Sequence, residues 1–226
     1  MNAAKLVTRA RHILLDFDGP VCAVFSHLPD HAAADRLRAR LAELEQQPLP
    51  ADVAQAHNPF DVLAHAHTLG RTAALEVETV FREAEVQAVR NAQQAPELCP
   101  ALQHFAAHDR VVTIVSNNSA AAVEAYLQQE GLSRYVSDIA ARTPTDIDRL
   151  KPDPHLLHRA MTAHGTSPGE CLMIGDSSSD IQAARAAGTA VVAYANKPGK
   201  HQRLAAHHPD AIIRDLTELM PNRATT

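Results

Sequence analysis

The chain has 226 residues, of which 46% are hydrophobic and 21% are charged, and these proportions are ordinary for a globular protein. Its length allows one domain carrying an insertion, with a full hydrophobic core. The formal net charge is -5 and no basic stripe is present, which argues against binding to nucleic acid. No apolar run approaches the ~18 residues that a membrane span requires.

The N-terminus and the cysteines predict a cytoplasmic protein. Residues 1–19 include basic side chains but no sustained apolar stretch and no small-residue cleavage site, so we expect no signal peptide. The three cysteines, Cys22, Cys99 and Cys171, lack the CxxC spacing and are typical of reduced thiols. We therefore expect a cytoplasmic location and no membrane partner.

The first predicted strand ends in two acidic residues. Residues 12–15 form a short apolar run that is typical of a buried strand, and Asp16 and Asp18 follow on either side of Phe17. Residues two apart in a strand face the same side, so the two carboxylates would repel each other. Burying them without a partner would cost several kcal/mol each. The pattern therefore predicts a positively charged partner for both acids.

A helical insertion is predicted after this strand, over residues 23–97, and no strand signal appears within it. Three amphipathic patterns predict helices, at 31–47, 58–70 and 72–94. Residues 48–59 form a proline-bearing connection between the first two. The predicted division is therefore an all-α domain over 23–97 and an α/β core made of residues 1–22 and 98–226.

After residue 100, strand patterns alternate with helix patterns. The predicted strands lie at 110–118, 135–141, 170–177 and 190–195, with an edge strand at 210–216. The predicted helices lie at 119–131, 152–165 and 180–188. Alternating strands and helices imply right-handed crossovers and a parallel sheet covered on both faces. The predicted fold class is α/β, a doubly wound parallel sheet with an inserted all-α cap domain.

Polar residues follow the strands of this predicted sheet. Ser116 and Asn117 end the second strand, Lys151 begins the KPDP turn after the third, and Asp176 and Asp180 follow the fourth in GDSSSD. The carboxyl ends of parallel strands meet in one crevice, where such sheets bind ligands. Clustered carboxylates are tolerable around a hard cation, and Mg²⁺ prefers oxygen ligands and keeps waters for a phosphate. The sequence thus predicts a Mg²⁺ site, and Lys151 is a second partner for the acids.

These segments resemble the four motifs of the haloacid dehalogenase superfamily of phosphohydrolases, in the same order. DFDGP at residues 16–20 resembles the DxD motif, Ser116 the Ser/Thr, Lys151 the lysine, and GDSSSD at 175–180 the last acidic motif. The resemblance implies a Rossmann-like core and phosphoryl chemistry. One departure is Pro20, where the family commonly has Thr, so the loop lacks a hydroxyl and an amide donor.

The resemblance covers roughly residues 1–20 and 98–215. The helical insertion lies where the family's helical cap of the first type lies, as in its phosphoglycolate phosphatase-like members. The resemblance therefore implies that residues 23–97 form a cap over the crevice.

The resemblance also implies a role for each acidic residue. Asp16 would be the nucleophile that forms an aspartyl phosphate, and Asp18 would protonate the leaving oxygen and later deprotonate water. Mg²⁺ would be bound by the carboxylates of Asp16 and Asp176 and by the backbone carbonyl of Asp18. Asp180 would hold the metal or one of its waters.

Three further groups would hold the phosphoryl oxygens: Ser116, the Asn117 amide and Lys151. Simpler interpretations exist for single residues. Ser116 with the asparagines after it can be a helix N-cap, Lys151 a solvated lysine, and Asp180 a cap of the next helix. Cys22 lies near the expected site but shows no sign of an activated thiolate, so we expect it to be a packing residue.

The sequence therefore predicts a Mg²⁺-dependent phosphatase acting on a small phosphorylated metabolite, either a sugar phosphate or an organic-acid phosphate. A phosphomutase of the same superfamily is an alternative, because it would keep every motif. A non-catalytic phosphate-binding protein is a second alternative, although it would be expected to have lost one of the acids. The oligomeric state has no signature in the sequence.

Overall fold

The structure, a computed structural model, describes residues 2–26, 30–45 and 48–221. The strands are β1 (His12–Leu15), β2 (Cys22–Ala23), β3 (Gln93–Gln94), β4 (Val111–Ser119), β5 (Asp138–Arg142), β6 (Cys171–Gly175), β7 (Ala190–Tyr194) and β8 (Ala211–Ile213). The helices are α1 (Ala3–Arg9), α2 (Asp30–Leu44), α3 (Ala51–Ala54), α4 (Pro59–Thr68), α5 (Arg71–Val89), α6 (Leu98–Ala107), α7 (Ala120–Gln129), α8 (His155–His164), α9 (Ser178–Ala187) and α10 (Lys200–Ala205).

A six-stranded parallel sheet forms the centre of the molecule, in the order β5-β4-β1-β6-β7-β8. The prediction of a doubly wound parallel sheet is confirmed. β1 lies between β4 and β6, and its last residue, Leu15, pairs with Ile114 on one side and Ile174 on the other. This register brings the carboxyl ends of the three central strands to the same edge of the sheet.

Helices cover both faces of the sheet, which explains why Ile13, Leu14 and Leu15 of β1 are all apolar. Ile13 and Leu15 pack into a cluster that includes residues of α1, α6 and α7. Leu14 points to the opposite face, into a cluster that includes residues of α8 and α9. Both sides of the strand are therefore excluded from water, and all four of its residues are buried.

The helical insertion has a hydrophobic cluster of its own. Leu37 and Leu41 of α2, Val62 of α4, and Val77 and Phe81 of α5 meet there, with none of their surface exposed. The last turn of α5 instead joins the main core of the sheet. Helix α5 therefore packs on both units. Among the described residues, no helix has both the length and the apolar character needed to cross a bilayer.

Two parts of the helical insertion differ from the prediction. The predicted helix over 72–94 ends at Val89, and β3 pairs with β2 in an antiparallel ribbon in which Gln94 lies opposite Cys22. The predicted connection over 48–59 contains the short helix α3. A strand of two residues is too short to show an alternating pattern, so neither strand had a sequence signal.

The helix caps also follow from short sequence signals. Ser119 is the N-cap of α7, and its side chain accepts a hydrogen bond from the amide of Ala122. At the start of α8 the N-cap is Pro154, and the side chain of Asp153 accepts from the amide of His155 at 2.8 Å. Both side chains satisfy amides that a helix leaves unpaired at its first turn.

His12 is a buried titratable residue at the start of β1. Its ring nitrogens lie 2.8 Å from Thr113 Oγ1 and 3.0 Å from Thr166 Oγ1. Burial, assisted by the neighbouring His164, lowers the pKa of His12 to about 4. The neutral ring is therefore the form that the fold stabilises.

We expect acidification to destabilise the protein through His12, by on the order of 3 kcal/mol at most. The unfolded chain takes up this proton near the ordinary pKa of 6.5, whereas the folded chain takes it up only near 4. The contribution of His12 is therefore fully present above the first value and is lost as the pH falls towards the second. Urea unfolding at about pH 7 and about pH 4.5 should show a larger loss in the wild type than in His12→Gln. Equal losses in the two proteins would contradict this account.

Candidate active site

The candidate active site lies at the carboxyl edge of the central strands. Asp16 follows β1 directly, and its backbone amide donates to the carbonyl of Ile174 in β6 at 2.9 Å. Asp176 follows β6, and Ser116 lies in β4 on the other side of β1. Residues that are 100 or more positions apart in sequence therefore meet because the parallel sheet places their strands side by side.

Lys151 is held at the centre of the site by three oxygen atoms. Its Nζ donates to Asp16 Oδ1 at 2.7 Å, to Asp180 Oδ1 at 2.6 Å and to the carbonyl of Val115 at 2.9 Å. An ammonium has three N–H donors, so each of them has an acceptor here. The side chain is 3% exposed. The simpler interpretation of Lys151 as a solvated lysine is therefore wrong.

Three carboxylates form a group that is able to hold a cation. One oxygen each of Asp16, Asp176 and Asp180 lie within 4.8 Å of one another, and among the residues described no other such group of acids, histidines and cysteines occurs. Two ~2.1 Å bonds to one ion span at most ~4.2 Å, so oxygens within 4.8 Å of one another can share an ion after a small shift of the side chains. A set made only of carboxylate oxygens suits a hard divalent cation such as Mg²⁺ better than zinc.

The electrostatics show a surplus of negative charge in this group. Burial raises the pKa of Asp16 well above its usual range, the charge of Asp180 raises it further, and Lys151 opposes both. Burial also raises the pKa of Asp176, against the effect of Lys200. At Lys151 burial favours the neutral amine, but Asp16 and Asp180 outweigh it and raise its pKa. Lys151 and Lys200 supply two positive charges against three carboxylates, so further positive charge is favourable here.

Lys200 is a residue of the site that the sequence analysis missed. Its Nζ is hydrogen-bonded to Asp176 Oδ2 and, at 3.0 Å, to Asn196 Oδ1. It is the first residue of α10, which follows β7, and it therefore comes from the same edge of the sheet. Its sequence signal is its position shortly after the predicted strand at 190–195, which matches the position of the other polar residues after strand ends.

The pairing of β4 with β5 becomes irregular between Ser116 and Ser119, and the residues after Ser116 form a tight polar loop there. Ser116 Oγ donates a hydrogen bond to the side-chain oxygen Oδ1 of Asn118 at 3.1 Å and accepts one from the backbone amide of Asn118 at 3.1 Å. The side chain of Asn117 accepts from the backbone amide of Lys151 at 2.8 Å and donates to its carbonyl at 3.0 Å. Asn117 therefore fixes the spacing between this loop and the residue that carries the central ammonium.

Asp18 lies at the mouth of the site. It is exposed, and its Oδ1 accepts from the amide of Val24 at 3.0 Å. The next residue, Gly19, has φ 110°, and a Cβ there would lie 2.2 Å from Asp176 Oδ2. Only glycine allows both this backbone conformation and this approach of the loop to the acidic group.

Asp180 caps α9, as the simpler interpretation of this residue expected, and it also holds Lys151. Its Oδ2 accepts from the amide of Ser177 at 2.9 Å and its own amide donates to Ser177 Oγ at 3.2 Å, which makes a capping box for α9. Its Oδ1 accepts from Lys151. The same carboxylate therefore starts a helix and holds the central lysine. Nearby, burial raises the pKa of Cys22, which agrees with a packing residue.

Comparison with known proteins assigns a family to this chain. A family model described as haloacid dehalogenase-like hydrolase matches residues 10–188. Phosphoglycolate phosphatase from Photobacterium profundum is 36% identical over 109 residues, which are 48% of this chain and 47% of that protein. Phosphoglycolate phosphatase from Photorhabdus laumondii is 28% identical over 225 residues, which are 96% of this chain and 94% of that protein. The chain thus spans about half the length of some curated relatives and nearly all of others.

A solved structure agrees in fold. CbbY from Rhodobacter sphaeroides, in complex with phosphate, aligns with a TM-score of 0.70 and covers 93% of this chain and 96% of its own. The two sequences are 16% identical. This likeness supports the shared architecture of core and helical insertion.

Proposed function

This chain belongs to the haloacid dehalogenase-like hydrolase family, and from that premise we propose that it hydrolyses a small phosphate monoester with Mg²⁺ and through an aspartyl-phosphate intermediate. It is a phosphatase of this family, as its curated relatives named phosphoglycolate phosphatase and pyrophosphatase indicate. The metal, the intermediate and the class of substrate are our proposal.

The observation that carries the proposal is the position of Lys151 between Asp16 and Asp180. Its buried ammonium lies beside carboxylate oxygens that are within 4.8 Å of one another, so positive charge and metal ligands occur at one place. Phosphoryl transfer needs both, because charge develops on the phosphoryl oxygens in the transition state.

Asp16 is the proposed nucleophile. Lys151 and the amide of Phe17 both donate to its Oδ1, at 2.7 and 2.8 Å, so Oδ2 is the oxygen that attacks phosphorus. The attack forms the Oδ2–P bond and breaks the bond from phosphorus to the ester oxygen, which leaves with a proton from Asp18. Asp18 then takes a proton from water, whose oxygen attacks phosphorus, releases phosphate and regenerates the Asp16 carboxylate.

Mg²⁺ is the proposed cofactor. Its ligands would be the carboxylates of Asp16 and Asp176 and the backbone carbonyl of Asp18. Both oxygens of Asp180 already accept hydrogen bonds, from Lys151 and from Ser177, which favours an indirect role through a bound water. When bound, the ion neutralises and orients the transferring phosphoryl group.

The proposed phosphate-binding groups are Ser116, the backbone amide of Asn117, and Lys151. Ser116 and Lys151 are 1% and 6% exposed, so each is well shielded from water and acts strongly on a bound anion. The two hydrogen bonds between the Asn117 side chain and the Lys151 backbone support a fixed geometry for all three phosphate-binding groups. A preorganised set of donors costs little reorganisation when charge develops.

We propose that the helical insertion acts as a cap over the site. The proposed domains are residues 23–97 for the cap, and residues 1–22 with 98–226 for the core. Support comes from Ile147 and Leu150, in the loop before Lys151, because both pack against the hydrophobic cluster of the insertion. A cap in this position admits small leaving groups and obstructs a phosphorylated side chain of a folded protein. It also excludes water while the intermediate forms.

The proposed substrate is accordingly a sugar phosphate or an organic-acid phosphate. Nucleic acid and membranes are not proposed as partners, in line with the net charge of -5. A cytoplasmic location is also part of the proposal, and it is supported by Cys22, Cys99 and Cys171, which are free thiols.

A panel of phosphate esters tests this proposal. With Mg²⁺ present, we expect small sugar and organic-acid phosphates to be hydrolysed with kcat/KM at least about tenfold above that of phosphopeptides, since the cap restricts the leaving group. Phosphate release is measured for each compound, and p-nitrophenyl phosphate serves as the reference. Equal values for phosphopeptides would contradict the proposed cap. Transfer of phosphate to a second position of a sugar, without release, would indicate the phosphomutase instead.

A further inference from the structure

A buried ionic cluster joins the helical insertion to the core. It consists of Arg142, the last residue of β5, and of Glu78 and Glu85 on α5, and their side chains are 0%, 1% and 0% exposed. Arg142 Nη1 donates to Glu78 Oε1 at 2.9 Å, and Nη2 donates to Glu85 Oε2. The guanidinium also lies over the ring of Phe81, 4.5 Å from its centroid. We call these three charged residues the buried ionic cluster.

Two members of the buried ionic cluster, Arg142 and Glu85, hold three successive residues of the loop that follows Ser116. Arg142 Nε donates to the carbonyl of Asn117 at 3.0 Å. Glu85 accepts from Asn118 Nδ2 at 3.0 Å through Oε1, and from the Ser119 amide at 3.0 Å through Oε2. Apolar packing is enough to join two structural units, whereas burying charged groups carries a desolvation cost. These contacts therefore suggest that the charged residues act on the loop itself.

We propose that Glu85 and Arg142 are positioning residues that orient the phosphate-binding loop, an inference that rests on the proposed function. An ionised carboxylate only accepts hydrogen bonds, so the side-chain amide of Asn118 must point its NH₂ group towards Glu85. The amide oxygen of Asn118 then faces Ser116 and accepts a hydrogen bond from its hydroxyl, with 3.1 Å between the two oxygens. Glu85, acting through Asn118, thus holds the Ser116 side chain in place, and on phosphate binding the Ser116 hydroxyl exchanges this hydrogen bond for one to a phosphoryl oxygen.

The chain contains a matched control for this inference. Glu78 lies on the same helix, is equally buried and also pairs with Arg142, but its other hydrogen bond comes from Arg82 at 3.0 Å. Within the described part of the chain, Glu78 has no hydrogen bond to the loop. If phosphate binding depended only on packing or on buried charge, substituting Glu78 or Glu85 should weaken it equally. If it depends on the position of the loop, only the substitution of Glu85 should weaken it.

The test compares Glu85→Gln with Glu78→Gln, with inorganic phosphate as the probe. In Glu85→Gln the new NH₂ group meets donors from Arg142, Asn118 or Ser119, so the loop loses at least one hydrogen bond. We expect the inhibition constant for phosphate to rise about tenfold in Glu85→Gln, and to stay within about twofold of wild type in Glu78→Gln, at similar melting temperatures for the two variants. Equal inhibition constants in both variants would overturn the inference.

Two further variants keep the test decisive. Asn118→Leu leaves the ion pairs intact and removes the amide between Glu85 and Ser116, so the same tenfold rise is expected; an unchanged constant would overturn the inference even if Glu85→Gln does not fold. The double variant Glu85→Gln with Asn118→Asp exchanges the hydrogen-bond donor and acceptor between positions 85 and 118. It should therefore restore part of the phosphate binding. A wild-type enzyme that neither hydrolyses esters nor binds phosphate would overturn the proposed function instead.

Discussion

Replacing Asp16 with asparagine is expected to abolish phosphatase activity while the fold survives. The amide has almost the same shape, and Lys151 keeps Asp180 and the Val115 carbonyl as acceptors at 2.6 and 2.9 Å. The amide is a far weaker nucleophile, so no aspartyl phosphate forms. We expect kcat on p-nitrophenyl phosphate to fall at least about 10³-fold.

The control for this variant is Asp109→Asn, at an exposed position with φ 54° that asparagine also adopts. It should keep wild-type turnover. Circular dichroism and thermal unfolding check that Asp16→Asn is folded, and mass measurement after acid quenching should detect one added phosphoryl group in the wild type but not in the variant. Substantial turnover by a folded Asp16→Asn would show that another group is the nucleophile.

Removing divalent cations should abolish activity and also lower stability, and Mg²⁺ should restore both. The oxygens of Asp16, Asp176 and Asp180 lie within 4.8 Å of one another, and Lys151 is a buried counter-charge beside them. A cation that binds only the folded state stabilises it by about 2.7 kcal/mol at a concentration one hundred times its dissociation constant. EDTA treatment followed by titration with Mg²⁺, read by phosphate release and by melting temperature, measures both effects.

The two titrations should give the same half-saturating concentration, because one ion is responsible for both. Asp176→Asn should lose the Mg²⁺-dependent rise in melting temperature, and Asp109→Asn should keep it. If zinc alone restored activity, the assignment of a hard, oxygen-liganded ion would be wrong. A rise in melting temperature that survives in Asp176→Asn would place the stabilising ion elsewhere.

Much of the candidate site was determined by the sequence, because the relevant signals are local. The apolar run of β1 and the acids after it identify a strand end, and the alternation of strands with helices determines a parallel sheet. A parallel sheet brings its strand ends together whatever their separation in the chain, so Asp16 and Lys151, 135 residues apart, were predicted to meet. The sequence similarly determined the helical insertion, which begins soon after β1 and ends before α6.

The contacts between the helical insertion and the core were decided by the tertiary structure. Glu78 and Glu85 are seven residues apart, and therefore on one face of α5, but nothing in that spacing says that the face is buried against β5. Charged residues are almost never fully buried unless they are paired, and the partner here, Arg142, is 57 residues from Glu85. Local periodicity reports which residues share a face of a helix or strand, but what that face meets depends on how distant elements pack. The pairing of β2 with β3 and the contact of Lys200 with Asp176 were decided in the same way.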